Sequence, residues 1–420
     1  MNTQVSPSMD EQARAILRGN DRGGYTVPTA GLYPYQWNWD SAFAAWGFAT
    51  FDIPRAWQEF ETLFVGQWPN GMVPHILFHK PDPGYFPGPD VWGGIGPIPS
   101  SGISQPPVAA SFAKRVYEAD PEAGRAPLAA LFPKLLAWHR WFMDWRLDQG
   151  AVCVTHPWEA GRDNTPDWDG AMAGIDPTGV GEYTRRDTSH VDPAMRPTKY
   201  DYDRYIWLVQ LGRRLNWDEA ALLKENPFRV ADPTMTFILL RAQRDLADLG
   251  RALGEDVSAI EEDIQTLENG ASTLWNPDLK CYDARDARSG AWANCVSNAS
   301  FLNWYAGIDN PAMVEQYDRI TNLCTYPVPS HDPASDRFDA KRYWRGPTWG
   351  IINSLIAIGL KERGLTDRGE ALRQATADVI ARHGFAEYFD PHTGEAAGGG
   401  TFTWTAAIWL AWASPSQGAT

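Results

Sequence analysis

The chain has 420 residues, with 37 lysines and arginines against 52 aspartates and glutamates, and a formal net charge of −15. That charge excludes partners that reward a basic face through counterion release, nucleic acid and anionic membrane surfaces among them. No apolar run of about 20 residues marks a membrane anchor, the first ten residues lack the basic and apolar regions of a secretory signal, and Cys153, Cys281, Cys295 and Cys324 show no CxxC spacing, so the expected setting is a cytoplasm that keeps thiols reduced.

Helical punctuation recurs from end to end while alternating strand patterns are scarce, so an all-α fold is expected. Helices are predicted at 11–18, 40–51, 54–66, 107–118, 127–148 and 201–215. At Asp232 and Pro233 a cap and a first-turn proline open a helix that places Met235, Ile238, Leu239, Ala242, Leu246, Leu249 and Leu253 on one face before Gly254. Val257, Ile260, Ile264 and Leu267 form the stripe of the next. Further helices are predicted at 292–306, 311–323, 347–363, 367–382 and 402–413. The connections 68–106, 150–200, 276–291, 325–346 and 384–401 are long and rich in Gly, Pro and aromatics, and loops of that length in a compact domain are usually functional. The pattern suggests a single domain over 1–420 in which paired helices close into a barrel with these loops over one mouth.

Tryptophan supplies 21 of the 420 residues, many beside acids, amides or glycine. Sugars present C–H faces and hydroxyl edges, so aromatic platforms among carboxylates and amides suit a carbohydrate site. The competing reading is that tryptophan only fills a large core. A small-molecule sugar is therefore the expected partner, with no nucleic acid and no membrane; self-association, a homo-oligomer included, is left open.

The loops carry the chemistry. In LYPYQWNWDSAF, Tyr33, Trp37 and Trp39 precede Asp40, which either caps the following helix or meets paired sugar hydroxyls. GQWPNGMVPH, the Tyr85 segment GYFPG and SGISQPP follow, the last holding Gln105 ahead of two prolines. Then comes HPWEAGRDNTPDWD, residues 156–169, with Trp158, Asp163 and three further acids on a loop that Gly161 and Pro166 keep from helix or strand. Its bland reading is a solvated acidic turn. Arg196 and Tyr202 are candidates for an anionic group, since a guanidinium fork matches a carboxylate. YWRGPTW adds Tyr343, Trp344 and Trp349, and FAEYFDPHTGE holds Glu387, Asp390 and Glu395 ahead of FTWTAA. Two acid-bearing aromatic loops are what glycoside hydrolysis needs, one acid to protonate the leaving oxygen and one carboxylate to activate water or attack carbon. Spacing alone does not choose the pair.

These blocks, in this order, resemble glycoside hydrolase family 63 and more distantly the trehalases. The resemblance anchors about 30–110, 156–208 and 338–410. It implies an (α/α)6 barrel and an inverting mechanism, with the general acid of the G-x-D-N-S-P-x-W-D motif at Asp163 and the base of the E-x-Y motif at Glu387, separated by about 6.5–9.5 Å. Glu395 is then a turn residue, and neither cofactor nor metal is required. The short helical chain looks most like the bacterial glucosylglycerate and mannosylglycerate hydrolases. That implies a sugar site at Tyr33, Trp37, Trp39, Asp40, Gln105, Trp158, Tyr343, Trp344 and Trp349, and glycerate contacts at Tyr85, Arg196 and Tyr202. The sequence departs from the motif at Thr165, where serine is usual, and at Arg162, where an uncharged residue is common and a cation could lower the pKa of Asp163.

The leading expectation is thus hydrolysis of an α-glycosylglycerate to free sugar and glycerate, with an α-glucosidase or trehalase-like activity on a neutral sugar as runner-up. Two readings from other classes are a sugar epimerase working through His75, His79, His156, His190 or His331, and a non-catalytic sugar-binding protein.

Overall fold

A computed structural model describes residues 7–417. Its long helices are α1 (Met9–Asn20), α2 (Asn38–Phe48), α3 (Ile53–Val65), α4 (Ala109–Ala119), α5 (Pro121–Trp145) and α6 (Lys199–Arg214). They continue with α7 (Pro233–Leu253), α8 (Ser258–Ser272), α9 (Pro311–Thr321), α10 (Gly350–Glu362), α11 (Thr366–His383) and α12 (Thr403–Ile408), which runs on as a π turn at Trp409–Ala413.

Burial sorts the helices into two kinds. α2 and α12 are buried at every position and α10 from Gly350 through Leu360, whereas α1, α3, α8 and α11 bury one stripe and leave a polar face. A helix that is apolar all round needs neighbours all round. α12 packs on α2, α2 on α4, α4 on α7, α7 on the 3-10 helix Asn298–Asn303, that helix on α10, and α10 on α12. The half-polar helices cover them from outside: α3 packs on α2, α5 on α4, α8 on α7, α9 on the 3-10 helix, α11 on α10 and α1 on α12. Close approach is built in where α2 meets α12, since a Cβ on Gly47 would stand 2.7 Å from the Ala407 Cα.

The start of α7 is as the sequence predicts: Asp232 accepts from the Met235 N–H at 3.1 Å, Pro233 occupies the first turn, and Gly254 ends the helix at φ 87°. α5 begins earlier than the expected 127, because Asp120 caps it by accepting from the Ala123 N–H at 3.0 Å and the helix runs through Pro127 and Pro133. The expected helix 292–306 contracts to the 3-10 turn Asn298–Asn303, and a helix at Glu219–Glu225 has no counterpart among the expected elements. Strands are short. The largest sheet is antiparallel and orders Leu147–Asp148, Ala151–Val154, Val230–Ala231 and Arg285–Asp286, with Cys153 opposite Ala231 and Val230 opposite Asp286. No helix among the described residues is long and apolar enough to cross a membrane.

Candidate active site

Asp40 at the start of α2, the loop that follows strand Ala151–Val154 and the loop before α12 converge on one cavity of about 850 Å³, counting its open mouth. Tyr33, Trp37, Trp39, Asp40, Tyr85, Gln105, Trp158, Asp163, Arg196, Tyr202, Tyr343 and Glu387, all singled out in the sequence, line it. Trp344 and Trp349 do not. They stack on each other at 3.8 Å, fully buried, with Trp349 edge-on to Tyr343, so they support the wall from behind.

Asp163 is delivered by a loop whose flanks are locked. Strand Ala151–Val154 enters it; His156 Nδ1 accepts from the Trp158 N–H at 3.0 Å and caps the turn Pro157–Ala160, and Gly161 (φ 67°) reverses the chain beneath the Trp39 indole. Glu159 points inward, accepting from the Thr155 N–H at 2.8 Å and from Arg146 Nε at 3.1 Å, while Arg146 Nη1 donates to Glu219 at 2.6 Å. Arg162 turns away from the cavity into a buried pair with Asp232 at 2.9 Å and lies 3.5 Å from Asp167. On the other side Asn164 Oδ1 accepts from the Trp344 N–H at 2.8 Å, and the Tyr205 hydroxyl donates to the Asp163 carbonyl at 2.9 Å. Of this loop's four carboxyls, only that of Asp163 lines the cavity. Burial raises its pKa to about 7, Arg196 pulling it down and Glu387 pushing it up. It therefore holds a proton near neutrality, as a general acid must.

Glu387 has the opposite surroundings. It precedes the two-residue ladder of Tyr388–Phe389 with Ala396–Ala397, and its backbone N–H donates to the Gly399 carbonyl at 2.9 Å. Its Oε1 accepts from the Tyr33 and Tyr343 hydroxyls at 3.2 and 3.3 Å; its Oε2 accepts from Arg196 Nη2 at 2.9 Å and the Gly399 N–H at 3.2 Å. Gly398 (φ 76°) permits this wrap, since a Cβ there would collide with the Glu387 side chain.

Several expectations change. Asp40 is not a cap: Trp37 occupies that position and Asp40 lies inside the first turn of α2, buried beside Glu387, with burial and then the Glu387 charge holding its pKa well above the usual range. The cation that lowers the pKa of Asp163 is Arg196, not Arg162, which is spent on Asp167 and Asp232. Arg196 does face a carboxylate, that of Glu387. Glu395, expected in a turn, lies just past the turn at 391–393 and is paired at the surface with Lys341. His75 lines the cavity, but burial keeps it, and His156 behind it, well below the usual imidazole range, so neither suits the proton relay an epimerase needs. His79 and His331 are likewise pushed down, to about 4, and the side chain of His190 lies outside what is described. Trp404, Phe402, Arg186 and Asp187 also line the cavity and were not singled out, although Trp404 sits in FTWTAA and Asp187 directly follows Arg185 and Arg186. Among the described residues no cluster of three or more His, Cys, Asp or Glu side chains could hold a metal ion.

A carboxyl with a raised pKa and a hydrogen-bonded carboxyl on one aromatic cavity in a helical scaffold define a glycoside hydrolase site. The mannosylglycerate hydrolase MGH1-like glycoside hydrolase domain matches residues 33–405, and this chain belongs to that family. It is 43% identical to a mannosylglycerate hydrolase of Thermus thermophilus over 412 residues, 96% of this chain and 99% of that one. The crystal structure of a family 63 mannosylglycerate hydrolase from Thermus thermophilus in complex with Tris and D-glycerate superposes with a TM-score of 0.94 at 42% identity, covering 96% of this chain and all of that one. Glucosylglycerate hydrolase of Mycolicibacterium hassiacum is 33% identical over 430 residues, 96% of each chain. The neutral trehalase of Saccharomyces cerevisiae shares the fold at a TM-score of 0.57 and 14% identity, over 92% of this chain and 72% of that one.

Proposed function

We propose that the enzyme is an inverting α-glycosidase that hydrolyses a glycosylglycerate, 2-O-α-mannosylglycerate before its glucosyl counterpart, to free sugar and glycerate. The observation that carries this reading is the contrast between the two cavity carboxyls: Asp163 buried with its pKa raised to about 7, Glu387 gripped by donors. Asp163 gives its proton to the glycerate oxygen as the glycosidic bond breaks. Glu387 takes a proton from the water that attacks the anomeric carbon from the opposite face, so configuration inverts. Trp37, Trp39, Trp158 and Tyr343 offer ring faces to the sugar, and Asp40 and Gln105 offer polar edges. Tyr85, Arg196 and Tyr202 receive the glycerate. Mannose ranks first because identity to the mannosylglycerate hydrolase exceeds that to the glucosylglycerate hydrolase.

The same reading assigns the fold as one (α/α)6 barrel domain. Its support is the cyclic order of contacts among α2, α4, α7, the 3-10 helix Asn298–Asn303, α10 and α12, each with an outer helix packed on it. A cytoplasmic setting is supported by four cysteines that are all free. The test is release of free sugar from mannosylglycerate, glucosylglycerate and trehalose in parallel, with Asp163→Asn and Glu387→Gln as controls. Turnover of a glycosylglycerate that both substitutions abolish is expected; turnover of trehalose alone would move the aglycone away from glycerate.

A further inference from the structure

A carboxylate has about four acceptor positions, and in Glu387 all four are taken: Tyr33 and Tyr343 on Oε1, Arg196 and the Gly399 N–H on Oε2. A base so saturated has no position left to accept from a nucleophilic water. One donor must leave before Glu387 can act. The Gly399 N–H is fixed, because the backbone returns the bond through Glu387 N–H to Gly399 O at 2.9 Å and Gly398 is packed against the side chain. Tyr33 and Tyr343 are held by ring contacts, Tyr33 on Trp37 and Phe402, Tyr343 on Trp349 and Tyr388. Arg196 is different. It comes from the loop between the short turn Pro193–Met195 and α6, it lies over the Tyr343 ring at 4.5 Å, and its Nε is buried without a hydrogen-bond partner. A buried, unmet donor on a cavity-lining guanidinium is a place prepared for an acceptor that arrives with the ligand.

We infer that Arg196 is a stopper on the catalytic base, which the carboxylate of an anionic aglycone draws off Glu387. The inference rests on the glycosylglycerate reading above. When the aglycone's carboxylate engages Nε and one Nη of Arg196, the guanidinium exchanges one carboxylate partner for another, bidentate, one. Oε2 of Glu387 then has an open position, and the water that occupies it is aligned for attack. The Tyr33 hydroxyl loses the bond that Arg196 Nη1 donates to it at 2.9 Å in the same step, while its ring contacts keep it on Glu387. The device makes charge on the aglycone a condition for catalysis as well as for binding. A neutral glycoside that fills the sugar site leaves Glu387 blocked, so its penalty falls on kcat and not on KM alone.

The test compares 2-O-α-mannosylglycerate with α-mannosylglycerol, in which a neutral hydroxymethyl group replaces the carboxylate, on wild type and on Arg196→Met. The expected result is crossed. The substitution lowers kcat/KM on mannosylglycerate by about 100-fold, in line with loss of a charge-assisted pair, and raises kcat on mannosylglycerol several-fold. A fall in both substrates would overturn the inference and make Arg196 a support for Glu387. A rise in KM for mannosylglycerate with no gain on mannosylglycerol would reduce it to a binding residue. A second measurement needs no variant: wild-type hydrolysis of α-mannosyl fluoride should be accelerated by added D-glycerate, and unchanged or merely inhibited turnover would count against the stopper. If wild type cleaves no glycosylglycerate, the function itself fails; if it cleaves one but neither crossed kinetics nor activation appears, only the stopper fails.

Discussion

The loop around Asp163 and the loop around Glu387 reach the same cavity with the same functional group and treat it in opposite ways. On the first, neighbours on both sides are bound elsewhere: Arg162 goes to Asp232 and Asn164 to the Trp344 N–H, so the Asp163 carboxyl meets the cavity and its pKa rises to about 7. On the second, the chain folds back through Gly398 and Gly399 and surrounds Glu387 with two phenols, a guanidinium and a backbone N–H. In the proposed mechanism it is surroundings, and not residue type, that separate the acid from the base.

That contrast can be broken at several points. Asp163→Asn and Glu387→Gln should each lower kcat by about 1,000-fold or more, the upper part of the range for removing general acid or base catalysis, with a single cooperative unfolding transition and an unchanged far-UV spectrum as the check that the fold survives. Arg162→Met strips the charge partner from Asp232 and Asp167 inside the core, and breaking such a pair costs about 3–5 kcal/mol; calorimetry should show a marked fall in Tm, and an unchanged Tm would mean that the flank is not locked electrostatically. Gly398→Ala forces a Cβ into the Glu387 side chain at a positive φ, so kcat should drop about 10- to 100-fold, as expected for a misplaced catalytic group, while KM moves little.

The pH dependence follows from Asp163. The acid must be protonated, so kcat/KM should turn downward above about pH 7 and fall with rising pH. Stability carries the same signature. The folded protein keeps this proton to about pH 7 whereas the unfolded chain releases it near the ordinary 3.8, so the folded state binds more protons between those limits and the group's contribution falls as pH rises through them. Asp163→Asn should therefore gain Tm relative to wild type at pH 7.5 and not at pH 4; a constant difference would contradict the raised pKa. The smallest effect belongs to Glu395, on the same loop as Glu387 but exposed and paired with Lys341. Glu395→Gln should change stability by less than about 0.5 kcal/mol and leave kcat intact.

How far the sequence reaches is visible in these same residues. Asp163 and Glu387 stand in ordered, aromatic-rich loops with distinct punctuation, and the repeated caps and stripes reveal a helical chain. Side-chain direction is a different matter. Trp344 and Trp349 share a motif with Tyr343, yet only Tyr343 reaches the cavity, because the two indoles stack behind it. Arg162 adjoins Asp163 in sequence but points the other way along the backbone, and the cation that acts on Asp163 comes from position 196. Asp40 looks like a cap until Trp37 takes that place. Each of these depends on which distant element a side chain meets, and no local pattern encodes that.

The most direct test of the paired carboxyls is the anomeric configuration of the sugar at the first moment of its release from 2-O-α-mannosylglycerate, followed by proton NMR before mutarotation. An acid at Asp163 and a base at Glu387 predict β-mannose at early times, decaying to the equilibrium mixture. α-Mannose at early times would contradict these roles, because retention requires a carboxylate that attacks carbon and a Glu387 that does not merely activate water.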